Sequence, residues 1–132
     1  MPGARALLTG IRAHGLPHAL VTSTDRHVTR LMLDKTGMRF DAVIDAQSVT
    51  ALKPDPEPYL AATAALRVQP GDCVAVEDSP AGAASAQSAG CTVIVIPGSA
   101  PVTPGDGLVF TRSLDMIGAC PQGLIVREPR TG

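Results

Sequence analysis

A chain of 132 residues, 45% hydrophobic and 17% charged, is long enough for one domain with its own core and too apolar to be a disordered one. Its net charge of −1 supplies no basic surface for nucleic acid, and its apolar runs are too short to span a bilayer. Met1-Pro2-Gly3-Ala4-Arg5 lacks the layout of a signal peptide, and the three cysteines (Cys73, Cys91, Cys120) fit neither a disulfide framework nor a zinc site, so reduced thiols in a cytoplasmic protein are expected.

Ala4, Leu7, Leu8 and Ile11 recur at helical spacing, which predicts a helix over 4–14 stopped by Gly15. Leu16 to Val21 predicts a buried strand that ends in Thr22-Ser23-Thr24-Asp25. Val28, Leu31 and Met32 mark a second helix, closed near Gly37. Asp41 to Asp45 predicts a second strand. Asp55 caps a third helix with Pro56 at its start, and Tyr59, Ala62 and Leu66 form its inner face. Val74 to Val76 predicts a third strand, followed by a helix that ends at Gly90. Thr92 to Ile96 predicts a fourth. Pro97 to Gly107 is a loop, Leu108 to Phe110 a short edge strand, and Leu114 and Ile117 belong to a closing helix. Residues 1–120 form the core domain in this reading, and 121–132 are a loose tail. Regular alternation of strand and helix predicts an α/β fold, a parallel sheet with helices on both faces.

Three strand ends or loops carry polar residues of different kinds. Thr22 and Ser23 offer a hydroxyl and main-chain N–H groups ahead of a helix, which suits a phosphate oxygen. The plainer alternative is a helix cap. Lys53 is one of two lysines in the chain and precedes Pro54 in a segment that also holds Pro56 and Pro58. Proline restricts its own φ and the residue before it, so the ammonium is well aimed at a phosphate or carboxylate; a loop lysine on the surface is the alternative. Glu77 and Asp78 are adjacent acids at a strand end, where they repel one another unless a cation intervenes. A hard divalent ion such as Mg²⁺ suits them, and a solvated turn capped by Ser79 is the alternative.

Taken together, Ala19-Leu20-Val21-Thr22-Ser23-Thr24, then Lys53-Pro54-Asp55-Pro56-Glu57-Pro58-Tyr59, then Val76-Glu77-Asp78-Ser79-Pro80-Ala81-Gly82 resemble the second, third and fourth motifs of the haloacid-dehalogenase superfamily of phosphohydrolases. The likeness is closest to the branch of β-phosphoglucomutase and phosphoglycolate phosphatase and covers roughly residues 2–97. The resemblance implies a three-layer Rossmann-like core. Thr22 would bond a phosphoryl oxygen beside the N–H of Ser23, and Lys53 would neutralise charge between phosphoryl group and nucleophile. Asp78 with Glu77 would hold Mg²⁺. The substrate would be a phosphorylated small molecule such as a sugar phosphate.

The family's first motif, an apolar strand ending in Asp-x-Asp that carries the nucleophile, has no counterpart ahead of Thr22, and the substrate-selecting cap is not found either. A C-terminal core fragment is therefore expected, with a phosphate and Mg²⁺ cradle but no attacking oxygen. The resemblance places that strand centrally, between those ending at Thr22 and Glu77. Its omission opens a slot of roughly 10 Å, two strand spacings, with unpaired backbone groups on each side. The two strands would close up, or a complementing chain or a second copy would fill the slot. A non-catalytic remnant that binds phosphate or a partner is the competing expectation. A receiver-type signalling domain fits less well, since receivers place their acidic pair early and their lysine last.

Overall fold

A computed structural model describes residues 3–120 and 122–126. Within them, helices α1 (Ala4–Ala13), α2 (Arg26–Thr36), α3 (Glu57–Leu66) and α4 (Pro80–Ala89) alternate with strands β1 (Ala19–Val21), β2 (Ala42–Ile44), β3 (Val74–Glu77) and β4 (Thr92–Val95). β5 (Leu108–Phe110) follows a long loop, and β6 (Ile117–Cys120) and β7 (Gly123–Val126) close the described chain. No helix among the described residues is long and apolar enough to cross a membrane.

Helix ends follow local chemistry. Asp25 caps α2 by accepting from the N–H of His27 at 2.8 Å, and Gly37 ends that helix at a φ of 70°, a region that costs an L side chain energy. Asp55 accepts from the N–H of Glu57 at 2.9 Å and opens α3. Ser79 caps α4 through the N–H of Gly82 at 3.0 Å, with Pro80 at the first helical position. β1 begins at Ala19 rather than Leu16. The N–H of Leu16 is committed to the carbonyl of Ile11, and Pro17 has no N–H to give a ladder.

The parallel strands form two sections. β1 pairs β2 in one, and β3-β4-β5 form the other. No ladder joins β1 to β3 among the described residues, the place where the family resemblance implies a further strand. Strand alternation sends successive side chains to opposite faces. Ala75, Val93 and Val95 meet Tyr59 of α3 and Ala83, Ala86 and Ala89 of α4 on one face. Val76, Ile94 and Ile96 meet Ala4 and Leu7 of α1 on the other. The alanine face of α4 lets it lie close to the sheet, and Ala86 and Val93 are fully buried. A buried valine of this kind contributes about 1.5–3 kcal/mol.

The predicted closing helix is not formed. A single 3₁₀ turn at Leu114–Met116 leads into the antiparallel pair β6–β7, with Ile117 opposite Val126 and Ala119 opposite Leu124. Ile117, Leu124 and Val126 all reach the α1 side of the core. A two-residue period buries three apolar side chains there, where a helix around Gly118 would have buried two at a glycine's cost in propensity. Ordered structure thus runs to Val126, past the predicted start of the tail; residues 121 and 127–132 of that segment lie outside the described residues.

Candidate functional site

Lys53 lies where the two sheet sections meet. Its Nζ donates to the carbonyl of Val21, the last residue of β1, at 3.0 Å, and to Glu77 Oε2, at the end of β3, at 2.7 Å. The Tyr59 hydroxyl donates to the same carboxylate oxygen, and the ammonium sits 5.5 Å from the Tyr59 ring centroid. The Lys53 and Glu77 side chains are only 13% and 6% exposed. A buried charge pair persists when its remaining hydrogen-bonding capacity is met, and here a phenol and a main-chain carbonyl meet it. The Lys53–Pro54 peptide is cis.

Two local features bring Glu77 to this place. Residues 73, 75 and 77 share the strand face turned toward α3 and α4, so the carboxylate points at Tyr59. The first turn of α4 then leaves room for it, because Gly82 has no side chain: a Cβ there would lie 1.9 Å from Glu77 Oε1. The Tyr59 phenol is pushed well above its ordinary pKa, by burial first and then by the neighbouring Glu77 charge, so it stays a donor.

Thr22 and Ser23 follow β1 directly. The N–H of Thr22 extends the β1–β2 ladder to the carbonyl of Ile44 at 2.9 Å, and its Oγ1 accepts from the N–H of Thr24 at 3.1 Å. Neither residue caps α2, since Asp25 does. Ser23 is exposed and makes no side-chain hydrogen bond among the described residues. Val21 and Glu77 both touch Lys53, so Thr22 and Asp78 each follow a residue in contact with the ammonium.

Glu77 and Asp78 part ways. Glu77 turns inward to Lys53 and Tyr59, whereas Asp78 is half-buried at the rim and takes no ion pair or side-chain hydrogen bond among the described residues. Mg²⁺ requires about six oxygen ligands in near-octahedral geometry. Such an ion is usually held by one or two carboxylates, with waters and substrate phosphate oxygens filling the rest, and Asp78 is the carboxylate left open here. No group of three or more His, Cys, Asp or Glu side chains among the described residues is placed to hold a metal. Of the two acids expected to hold Mg²⁺, Glu77 is thus engaged by Lys53 and Tyr59, and Asp78 is the open carboxylate at the rim.

A second pair escaped the sequence reading. Asp45, at the end of β2, is 4% exposed and receives Arg26 Nε at 2.9 Å and Arg26 Nη2 at 3.3 Å. Ser48 Oγ and the N–H of Gln47 also donate to it, each at 3.0 Å. The signal available was its position, since the ends of β1 and β3 were already singled out for their polar residues. The Arg26 hydrogen bond holds the Asp45 carboxyl below the usual carboxylate range, more than burial raises it. A depressed folded pKa stabilises above the unfolded value and is lost as pH falls through the folded one. The chain should therefore lose stability below about pH 4, and Asp45→Asn should flatten that limb of a urea-midpoint-against-pH curve. An unchanged limb would remove Asp45 as its source.

Residues 1–90 match the family described as haloacid dehalogenase-like hydrolase. Hexitol phosphatase A of Escherichia coli (strain K12) is 40% identical over 97 residues, covering 73% of this chain and 45% of that protein. Among solved structures, a point mutant of CbbY from Rhodobacter sphaeroides in complex with xylulose-(1,5)bisphosphate superposes with a TM-score of 0.81 at 27% identity, over 92% of this chain and 57% of that one. A HAD phosphatase from Thermococcus onnurineus gives 0.74 at 32% identity, over 86% and 54%. The chain spans about half the length of the curated relatives it matches.

Proposed function

Because the chain belongs to the haloacid dehalogenase-like hydrolases, in their phosphoglucomutase-like branch, we propose that it supplies the phosphate-holding part of a phosphoryl-transfer site for a phosphorylated small molecule of the sugar-phosphate class. The observation that carries this reading is the position of Lys53, its side chain 13% exposed at the seam between β1 and β3 with its ammonium fixed by Val21 and Glu77. In this reading Thr22 Oγ1 and the N–H of Ser23 bond phosphoryl oxygens, and Lys53 offsets the charge that gathers as the phosphoryl group moves. The relatives named for a hexitol phosphatase activity or bound to a sugar bisphosphate support the substrate class.

Phosphoryl transfer also requires an attacking oxygen in line with the leaving group. No Asp-x-Asp precedes Thr22 in this sequence. The nucleophile in this proposal arrives on a further extended segment, parallel to β1 and β3 and seated between them, its acid ending beside Lys53. Asp78 is then one oxygen ligand of a magnesium site whose other ligands come from that segment. The chain's own contribution is charge neutralisation and orientation, in a soluble, cytoplasmic setting.

Calorimetric titration of the purified chain with inorganic phosphate tests the cradle. Thr22→Val and Lys53→Ala should each weaken binding about tenfold or more, one charge-assisted hydrogen bond's worth; binding by both variants as tight as by the unmutated chain would overturn the assignment. The chain alone, with Mg²⁺ present, should not hydrolyse p-nitrophenyl phosphate. Turnover that Lys53→Ala abolishes would show that the attacking oxygen lies within these residues.

A further inference from the structure

The end of the β3–β4 ladder opposite Lys53 holds a feature that phosphoryl chemistry does not use. Val74 pairs with Thr92 in parallel register, and the N–H of Thr92 donates to the carbonyl of Cys73 at 3.1 Å. Cys73 and Cys91 each precede their strand by one residue, and continuing the register sets them opposite one another. Partners in parallel register send their side chains to the same face, and both cysteines do pack into one apolar cluster, with Ala75, Ala89 and Val93. Neighbouring strands lie about 4.8 Å apart, inside the Cα separation of roughly 4.4–6.8 Å that a disulfide spans.

We propose that Cys73 and Cys91 form a cross-strand dithiol that a small-molecule disulfide of the glutathione class oxidises to an intrachain disulfide. Cys73 is half-buried and Cys91 buried, which sets the order of events. The Cys73 thiolate attacks one sulfur of glutathione disulfide, a Cys73–glutathione bond forms, and one glutathione thiolate leaves. Cys91 then gives up its proton and attacks the Cys73 sulfur, expelling the second glutathione as a thiolate. Two protein thiols are oxidised by two electrons, one glutathione disulfide becomes two glutathiones, and the proton balance closes through solvent.

Both thiols sit above their ordinary pKa. Burial pushes Cys91 up to about 11, with the neighbouring Cys73 adding to it, and burial followed by the Asp72 charge raises Cys73. Since the thiolate is the nucleophile, oxidation of the native chain should speed up about tenfold per pH unit between 7 and 8. Cys120 lies on β6 and is half-buried, so it serves as an internal control.

The purified chain, incubated with oxidised glutathione and freed of excess reagent, should fall from three titratable thiols to one and lose two hydrogens by intact mass. Peptide mapping should join the Cys73 and Cys91 peptides, and reduction should restore all three thiols. The oxidised chain should melt at a higher temperature than the reduced one, because the new bond closes β3 to β4 around α4. Cys73→Ser should leave Cys91 free under the same treatment. A count that stays at three, a bond to Cys120, or a bond between two chains would each overturn the proposal. Mapping of the unmutated chain keeps the test valid if a serine variant does not fold.

Discussion

Glu77→Ala should destabilise the chain by about 3–5 kcal/mol, the usual cost of removing one partner from a buried ion pair. Lys53 would keep its contact with the Val21 carbonyl but lose the only carboxylate within reach of its ammonium among the described residues. Tyr59 would lose its acceptor as well. Single domains are stable by only about 5–15 kcal/mol, so urea denaturation should show a population of unfolded chain at low denaturant. Tyr59→Phe tests the same cluster more gently: it removes one hydrogen bond to a charged group, worth about 1.5–3 kcal/mol, and leaves the ion pair. If Glu77→Ala proved no more costly than Tyr59→Phe, the pair would not be the buried, mutually dependent unit described above.

Gly98→Ala should be the most damaging single-methyl substitution in the described chain, at about 3 kcal/mol or more, the upper end of overpacking costs. A Cβ at Gly98 would lie 1.9 Å from the carbonyl oxygen of Asp78 and 3.0 Å from its carbon. Main chain cannot step aside as a side-chain tip can, so the exits of β3 and β4 would have to separate. That movement would carry Asp78 away from Lys53, and the melting temperature should drop by roughly 10 °C or more. Gly82→Ala meets a carboxylate instead, and its cost should shrink in a Glu77→Ala background, because the obstructing group is then gone. Equal costs of Gly82→Ala in both backgrounds would show that the clash is relieved in some other way.

The element order was legible because it depends on local periodicity and on turn chemistry. Ala4-Leu7-Leu8-Ile11, the valine-rich strands and the Asp55 and Ser79 caps act over a few residues, and their structures follow. The closing segment failed for the complementary reason. Leu114 and Ile117 fit a helix when read alone, and only the pairing of Ile117 with Val126 and Ala119 with Leu124 makes a hairpin the better burial.

The site divides in the same way. Residue types and motif order singled out Thr22, Ser23, Lys53, Glu77 and Asp78, and the family resemblance implied the break in the sheet between β1 and β3. Tertiary structure decided how they are used. Lys53 meets partners 32 and 24 residues away, and Tyr59 meets Glu77 across 18. Which of two adjacent acids turns inward depends on which strand face α3 and α4 cover. That choice gave Glu77 to the ammonium and left Asp78 at the rim. The adjacency of Cys73 and Cys91 likewise exists only through the register of β3 on β4. Periodicity and caps are written within a few residues; register, facing and ion pairing belong to elements that meet only once the chain has folded.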